Sequence, residues 1–217
     1  MNQFNKYFDH TLLKADATPM DILRLVTEAV QMDVAAVCVN GSHVRSARRF
    51  IDAAGSNVKV AAVAGFPLGA MSTNAKAYEV QLALDDGADE IDLVMNVGQA
   101  KAGNWAYIED EIYAIAELCH DDGAILKVII ETCLLTDDEK VRACELSENA
   151  GAAFVKTSTG FSTGGANVHD VALMKKTVGK RLQVKASGGI HTPQQAQELI
   201  AAGADRIGAS NGIALLG

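Results

Sequence analysis

The stretch LDDGADEIDLVMN, residues 84–96, joins a helix-like end to a strand-like run and shows the pattern of the whole chain. Gly87 stands where a helix commonly ends in a left-handed residue, directly after two aspartates. The apolar run that follows it is typical of a buried strand. The same succession of glycine, alanine and an apolar run recurs at residues 123–130, 151–157 and 203–210. Strand and helix therefore alternate along the chain, which favours parallel strands with right-handed crossovers.

Helix starts are marked as clearly as helix ends. Thr18, Thr136 and Thr192 each offer a capping hydroxyl, with an acidic or amide side chain three residues later. Pro19 and Pro193 stand at the first helical position, where the missing N–H costs nothing. Between these signals the sequence predicts eight strands, at residues 7–10, 34–40, 58–64, 90–96, 125–131, 154–157, 183–187 and 206–210.

Eight strand–helix units predict an α/β fold, a closed (β/α)₈ TIM barrel of eight parallel strands with outer helices. The alternative is a doubly wound open sheet, which normally carries a glycine-rich dinucleotide turn after its first strand. No G-x-G-x-x-G occurs here, so the barrel is favoured. No linker or low-complexity stretch interrupts the pattern, and residues 1–217 are expected to form a single catalytic domain.

Composition excludes several function classes. The 217 residues are 49% hydrophobic and 21% charged, enough to bury a sizeable core. A formal charge of −8 argues against a nucleic-acid partner held by phosphate neutralisation. No apolar run is long enough to span a membrane, and the first residues lack a signal core. The four cysteines form no CxxC and indicate reduced, buried thiols, so we expect a cytoplasmic location.

Four ionisable residues lie within predicted strands that should be apolar: Asp92, Lys127, Lys156 and Lys185. Burial lowers a lysine's pKa, and a partly neutral lysine is a nucleophile that can form a Schiff base with a carbonyl. A second cation nearby lowers that pKa further, and a carboxylate such as Asp92 could move protons. The alternative is a buried ion-pair network that only holds the strands together. The residues themselves do not say which lysine would be the nucleophile.

Glycine-rich segments follow the seventh and eighth predicted strands, at residues 187–190 and 208–212. In a barrel these two loops, with the start of a short final helix, form a recurrent phosphate site. The alternative is that the glycines simply end the strands. Residues 157–167, TSTGFSTGGAN, directly follow the sixth predicted strand and should also lie on the carboxyl face of the barrel, where the chemistry sits.

Other candidate sites are weaker. Two G-x-S-x-G matches, at residues 160–164 and 208–212, lack the context of a nucleophile elbow. The five histidines have no metal-site spacing, and no metal is expected. Asp9, His10 and Thr11 either place a polar group in the barrel mouth or form a hydrogen-bonded strand end. Cys38 is either a pocket residue or a small buried apolar one.

Seven segments taken together resemble the deoxyribose-phosphate aldolase family, whose members are class I aldolases on a (β/α)₈ barrel. They are FDHTLL (8–13), AAVCVN (35–40), DEIDLVMNVG (89–98), LKVIIET (126–132), FVKTSTGF (154–161), VKASGGI (184–190) and RIGAS (206–210). The resemblance covers essentially the whole chain in the right order, and KTSTG together with KASGG is highly specific to the family.

The resemblance implies roles for individual residues. Lys156 matches the Schiff-base lysine, and Lys185 matches the second lysine, which depresses the nucleophile's pKa and takes part in proton transfer. Asp92 matches the acid/base carboxylate, which works through a bound water, and Lys127 matches a supporting strand lysine. The predicted substrate-binding residues are Asp9, Thr11, Cys38, Lys127, Thr159, Gly160, Gly188, Gly189, Gly208 and Ser210.

The resemblance also implies a reaction: reversible cleavage of 2-deoxy-D-ribose 5-phosphate to D-glyceraldehyde 3-phosphate and acetaldehyde, in deoxyribose phosphate catabolism, without a cofactor. Some longer members have a lysine after TSTG that reaches the phosphate, whereas this chain has Phe161. The alternatives are another phosphosugar barrel enzyme, either an isomerase or a keto-acid aldolase, and a non-catalytic phosphosugar-binding protein. The expected partner is a small phosphosugar, and a homodimer is a candidate assembly.

Overall fold

A closed barrel of eight parallel strands, paired in the order β1 to β8 and back to β1, forms the centre of the protein. The computed structural model describes residues 3–210 together with Gly212 and Leu215. The strands are β1 Phe8–Leu12, β2 Ala36–Val39, β3 Lys59–Ala64, β4 Glu90–Val94, β5 Ile125–Ile129, β6 Phe154–Lys156, β7 Gln183–Ser187 and β8 Arg206–Ala209. The predicted TIM barrel is therefore confirmed.

Eight α-helices of the described residues connect these strands. They are α1 Pro19–Met32, α2 Val44–Ala53, α3 Thr73–Asp85, α4 Val97–Lys101, α5 Trp105–Asp121, α6 Asp137–Asn149, α7 Val168–Val178 and α8 Pro193–Ala201. Short 3₁₀ helices lie at Gln3–Tyr7, Gly41–His43 and Thr132–Leu134. The short final helix predicted after Ser210 lies outside the described residues, apart from Gly212 and Leu215.

The local signals in the sequence act as predicted. Thr18, Thr136 and Thr192 each form a capping box that satisfies N–H groups at a helix start. Gly87 follows α3 with a φ of 97°, a backbone conformation that residues with a Cβ rarely adopt. Several strands end before the predicted boundary, because the apolar run continues past the last ladder pair into a buried loop. The first strand instead starts and ends later than predicted.

Side chains alternate along each strand between two different environments. Those pointing outward, such as Val37, Leu93 and Val128, pack in the large apolar core between the sheet and the helices. Inside the barrel, a small apolar cluster of Ala36, Cys38, Ala61 and Val63 fills the side formed by β2 and β3. Charged side chains fill much of the remaining interior, so branched apolar residues do not fill this barrel as they usually do.

The cysteines differ from the prediction at one position. Cys38, Cys119 and Cys144 are buried, whereas Cys133 is exposed in the short 3₁₀ helix after β5, because that turn lies on the surface. Among the described residues, no helix is both long and apolar enough to cross a membrane.

Candidate active site

The register of the parallel ladder brings the four predicted strand residues together. Asp92 of β4 pairs directly with Lys127 of β5, and Lys156 of β6 pairs directly with Lys185 of β7. All four side chains point into the barrel, and the whole residue is 3% exposed for Lys156 and 0% for the other three. Residues separated by 93 positions in the chain thus come into direct contact.

Asp92 is the centre of this group. Its Oδ2 accepts hydrogen bonds from Lys156 Nζ at 2.6 Å and from Lys185 Nζ at 2.7 Å. Its Oδ1 accepts a hydrogen bond from Lys127 Nζ at 2.7 Å. A single oxygen therefore joins the two lysines of β6 and β7.

Five buried charged groups and the partly buried Arg206 form a closed ring in which positive and negative charges alternate. Lys127 contacts Glu90 and Asp92 at 2.6 and 2.7 Å. Arg206 contacts Asp9 at 2.7 Å and Glu90 at 3.4 Å. Lys185 closes the ring between Asp9 and Asp92. We call this set of three carboxylates and three cations the charge ring.

Lys156 stands outside the charge ring and contacts only Asp92 among the ion pairs of the described residues. The three carboxylates already balance the three cations, so a protonated Lys156 adds an unmatched positive charge to a buried site. Unmatched buried charge is costly, and loss of a proton from Lys156 relieves that cost. The geometry thus distinguishes Lys156 from the other two lysines, which the residue pattern did not.

The pKa directions agree with this balance. Burial lowers the pKa of Lys156; Asp92 opposes the shift, and the neighbouring Lys185 ammonium adds to it. Burial would also lower the pKa of Lys185, but Asp9 and Asp92 outweigh it and raise that pKa. Burial would raise the pKa of Asp92, yet Lys127, Lys156 and Lys185 hold it well below its usual range. Asp92 is therefore ionised at rest.

A cavity of about 520 Å³ opens on the carboxyl side of the barrel and reaches Lys156. Neither Lys127 nor Lys185 forms part of its wall, so only one of the three strand lysines can meet a ligand there directly. Seven of the predicted substrate-binding residues do line it: Thr11, Thr159, Gly160, Gly188, Gly189, Gly208 and Ser210.

Three other predicted substrate-binding residues lie elsewhere. Asp9 and Lys127 are fully buried members of the charge ring, below the cavity wall. Cys38 is fully buried in the apolar cluster, with its Sγ 4.0 Å from Asp92 Oδ2. The structure gives these three residues contacts with site residues rather than with the cavity.

The glycine segments after β6 and β7 pack against each other at the cavity wall. A Cβ placed on Gly165 would stand 2.2 Å from the carbonyl oxygen of Gly188, a distance no side chain can occupy. Ala166 N donates to the same carbonyl, and Ser187 Oγ donates to Ser158 O at 2.6 Å. These contacts fix the two segments relative to each other.

Glu131 is a residue that the sequence analysis did not single out. Its backbone has a φ of 54°, a strained conformation for a residue with a side chain, and its carboxylate is buried. Thr159 donates to it from both its backbone N–H and its hydroxyl, the latter at 2.5 Å. Glu131 thus holds the segment that carries Thr159 and Gly160 against the cavity.

Glu90 and Arg206 were also missed as members of the buried network. A signal was available, because Glu90 stands two residues before Asp92 and therefore faces the same side of the strand. Arg206 opens the eighth strand in register with Lys185, but that register becomes known only from the folded barrel.

One cluster of the described residues has metal-ligand chemistry: Asp137, His169 and Asp170, between α6 and α7. The Lys140 ammonium lies 2.9 Å from Asp137 and 2.7 Å from Asp170. A cation already compensates these carboxylates, and the cluster lies outside the cavity wall.

At the carboxyl side of a TIM barrel, a cavity-facing lysine beside a carboxylate has the chemistry of an enzyme that forms a Schiff base with a carbonyl. Residues 4–216 match the model of the DeoC/LacD family aldolases, and the chain belongs to that family.

Individual relatives agree with this assignment. The deoxyribose-phosphate aldolase of Finegoldia magna is 54% identical over 214 residues, which are 99% of both chains. That of Thermococcus gammatolerans is 52% identical over 97% of this chain and 94% of its own. A solved deoxyribose phosphate aldolase from Aeropyrum pernix, described as tetrameric, superposes with a TM-score of 0.92. It is 32% identical and covers 98% of this chain and 89% of that one.

Proposed function

We propose that the protein cleaves 2-deoxy-D-ribose 5-phosphate reversibly to D-glyceraldehyde 3-phosphate and acetaldehyde through a Schiff base on Lys156. The observation that carries the proposal is Lys156 itself. Among the described residues it is the basic side chain that both faces the cavity and adds a positive charge beyond those balanced in the barrel interior. The names of the relatives support the choice of substrate.

Neutral Lys156 attacks the C1 aldehyde of the open-chain sugar, and loss of water gives an iminium. The iminium draws electrons from the C2–C3 bond while the C3 hydroxyl loses its proton. Glyceraldehyde 3-phosphate leaves, and the remaining enamine is protonated at C2 and hydrolysed to acetaldehyde. Asp92 lies within hydrogen-bond reach of Lys156 and starts ionised, so it acts first as a base.

Lys185 has two roles in this proposal. Its ammonium keeps the pKa of Lys156 low, and it shares Asp92 Oδ2 with Lys156. Proton exchange between the lysines therefore needs no large movement of either side chain. Asp9 holds Lys185 protonated from the opposite side, and Arg206 holds Asp9 in place.

The test is incubation with 2-deoxyribose 5-phosphate, with measurement of released acetaldehyde. Borohydride added during turnover should reduce the iminium and leave a stable adduct on Lys156, found by peptide mass spectrometry. Lys156→Ala should abolish the adduct and the turnover. Lys101→Ala, which removes an exposed lysine that does not line the cavity, is the control.

Other results would refute the proposal. An adduct that survives Lys156→Ala unchanged removes Lys156 as the nucleophile. Release of pyruvate from a keto-acid substrate, with no acetaldehyde from the deoxysugar, would establish the keto-acid aldolase alternative. Isomerised sugar without carbon–carbon cleavage would establish the isomerase.

We also propose that residues 1–217 act as one domain, in the cytoplasm, in deoxyribose phosphate catabolism. A homodimer is the assembly proposed for the chain. Light scattering on the purified protein distinguishes that dimer from a monomer or from a tetramer such as that described for the Aeropyrum pernix relative.

A further inference from the structure

A phosphomonoester carries a charge of about −1.5 to −2 at neutral pH, and the glycine segments supply backbone N–H groups and the Ser187 and Ser210 hydroxyls for it, but no cation. The loop after β6 contributes an aromatic side chain rather than a cation at the cavity. Phe161 is 58% exposed there and makes an edge-to-face contact with Phe66, the ring centres 5.2 Å apart. A cation that meets the phosphate would therefore come from another part of the wall.

One face of α1 forms that part of the wall. Asp21, Arg24, Leu25 and Glu28 recur at the spacing of a single helix face, and all four line the same cavity as the glycine segments. Lys14, in the loop between β1 and α1, lines it as well. The α1 side thus brings two cationic side chains to the cavity, in addition to Lys156, which is committed to the aldehyde.

The carboxylates of this face are already engaged. Asp21 Oδ2 accepts the N–H and the hydroxyl of Thr18 at the start of α1, at 2.9 and 2.6 Å. Asp21 Oδ1 accepts one N–H of Arg24 at 2.7 Å. The guanidinium has five N–H donors, so this single contact leaves a fork of donors for a ligand.

The same face adjoins the segment that follows β8. Glu28, one turn beyond Arg24, contacts His10 Nε2 at 2.7 Å. On its other side His10 faces Gly212, where an added Cβ would stand 3.0 Å from Nδ1. A short chain of contacts therefore joins the α1 face to the glycine segment predicted to hold the phosphate.

We propose that Arg24, with Lys14 beside it, binds the substrate phosphate and sets the preference for phosphorylated over unphosphorylated sugar. The planar guanidinium matches two phosphate oxygens at once, and Lys14 adds a second charge. This inference rests on the proposed function for its substrate but names a binding residue on a different element from the catalytic lysine.

The test compares Arg24→Gln with Arg45→Gln. Both arginines are exposed to a similar degree, with side-chain exposures of 68% and 66%, and each pairs with one aspartate. Arg45 lies on α2 outside the cavity wall, so it is a matched control. Arg24→Gln should raise KM for 2-deoxyribose 5-phosphate about tenfold or more, as expected for a lost charged hydrogen bond. It should leave kcat/KM for 2-deoxyribose within about twofold, and Arg24→Lys should recover part of the loss.

Equal effects on the two sugars, or an effect of Arg45→Gln as large as that of Arg24→Gln, would overturn the inference. Calorimetric titration with inorganic phosphate tests the same residue without turnover. Wild-type protein should bind phosphate more tightly than Arg24→Gln, and equal affinities would also overturn the inference. If wild-type protein releases no acetaldehyde, the proposed function fails while this titration still decides the role of Arg24.

Discussion

Replacing Lys185 by methionine tests whether charge balance keeps Lys156 neutral. Lys156 Nζ and Lys185 Nζ both bond Asp92 Oδ2, at 2.6 and 2.7 Å, so they lie at most about 5.3 Å apart. At an effective dielectric constant of about 20, two charges at that distance repel by about 3 kcal/mol. Since one pKa unit is worth about 1.36 kcal/mol, the pKa of Lys156 should rise by roughly two units in Lys185→Met.

The assay measures adduct formation on Lys156 with an aldehyde and borohydride across a range of pH. It reports the neutral form of Lys156 directly and does not require the later proton transfers proposed for Lys185. The rate of adduct formation rises with pH as Lys156 loses its proton. In Lys185→Met the pH at the midpoint of that rise should increase by about the same two units, because the amine now loses its proton at higher pH. Circular dichroism establishes that each variant is folded.

Asp9→Asn is the matched variant that removes a negative charge instead of a positive one, because Asp9 is the carboxylate paired with Lys185. The double variant Asp9→Asn/Lys185→Met removes one charge of each sign and should return the midpoint towards the wild-type value. A folded Lys185→Met protein with an unchanged midpoint would refute the charge-balance explanation. So would a double variant whose midpoint moves further than that of Lys185→Met.

Three further outcomes are expected. Asp92→Asn should lose turnover. Urea unfolding should also show a loss of about 3–5 kcal/mol of unfolding free energy, because the variant leaves buried ammonium groups without their shared carboxylate. An Asp92→Asn protein as stable as wild type would contradict the central position of Asp92. Gly165→Ala should raise KM and destabilise the fold, because its methyl group would collide with Gly188 O, whereas Gly41→Ala, with nothing within 4 Å of the added Cβ, should change neither. Burial by itself would raise the pKa of Asp9, but Lys185 and Arg206 outweigh burial and lower that pKa. The stability that Asp9 contributes is therefore complete above about pH 4 and is lost as the pH falls further. Acid titration of unfolding should therefore show a shallower decline in Asp9→Asn than in wild type.

Local signals determined much of the fold before any contact was known. The capping threonines and the glycines after helices act within three or four residues, so they can be recognised in the sequence and they form as predicted. The strand boundaries were less exact. At residues 90–96, for example, the apolar run includes Met95, which is buried beyond the end of the β4 ladder. Hydrophobicity records burial, whereas a strand ends where its hydrogen-bonded neighbour ends.

The candidate site divides in the same way. The chemistry of Lys156, Lys185 and Asp92 was visible, because ionisable residues in apolar strands are rare, and a family resemblance assigned their roles. The contact between Asp9 of β1 and Lys185 of β7 could not be predicted from the sequence, since these side chains come together only when the barrel closes. Asp9 is 176 residues from Lys185 in the chain, yet the two are bonded.

The sequence by itself thus determined the barrel and the set of ionisable residues, because periodicity and capping act over short distances along one chain segment. Only the tertiary structure decided which lysine faces the cavity and which residues share one buried charge balance. These properties depend on the register of all eight strands at once. Closure of the barrel sets three carboxylates against three cations, and Lys156 shares Asp92 with Lys127 and Lys185.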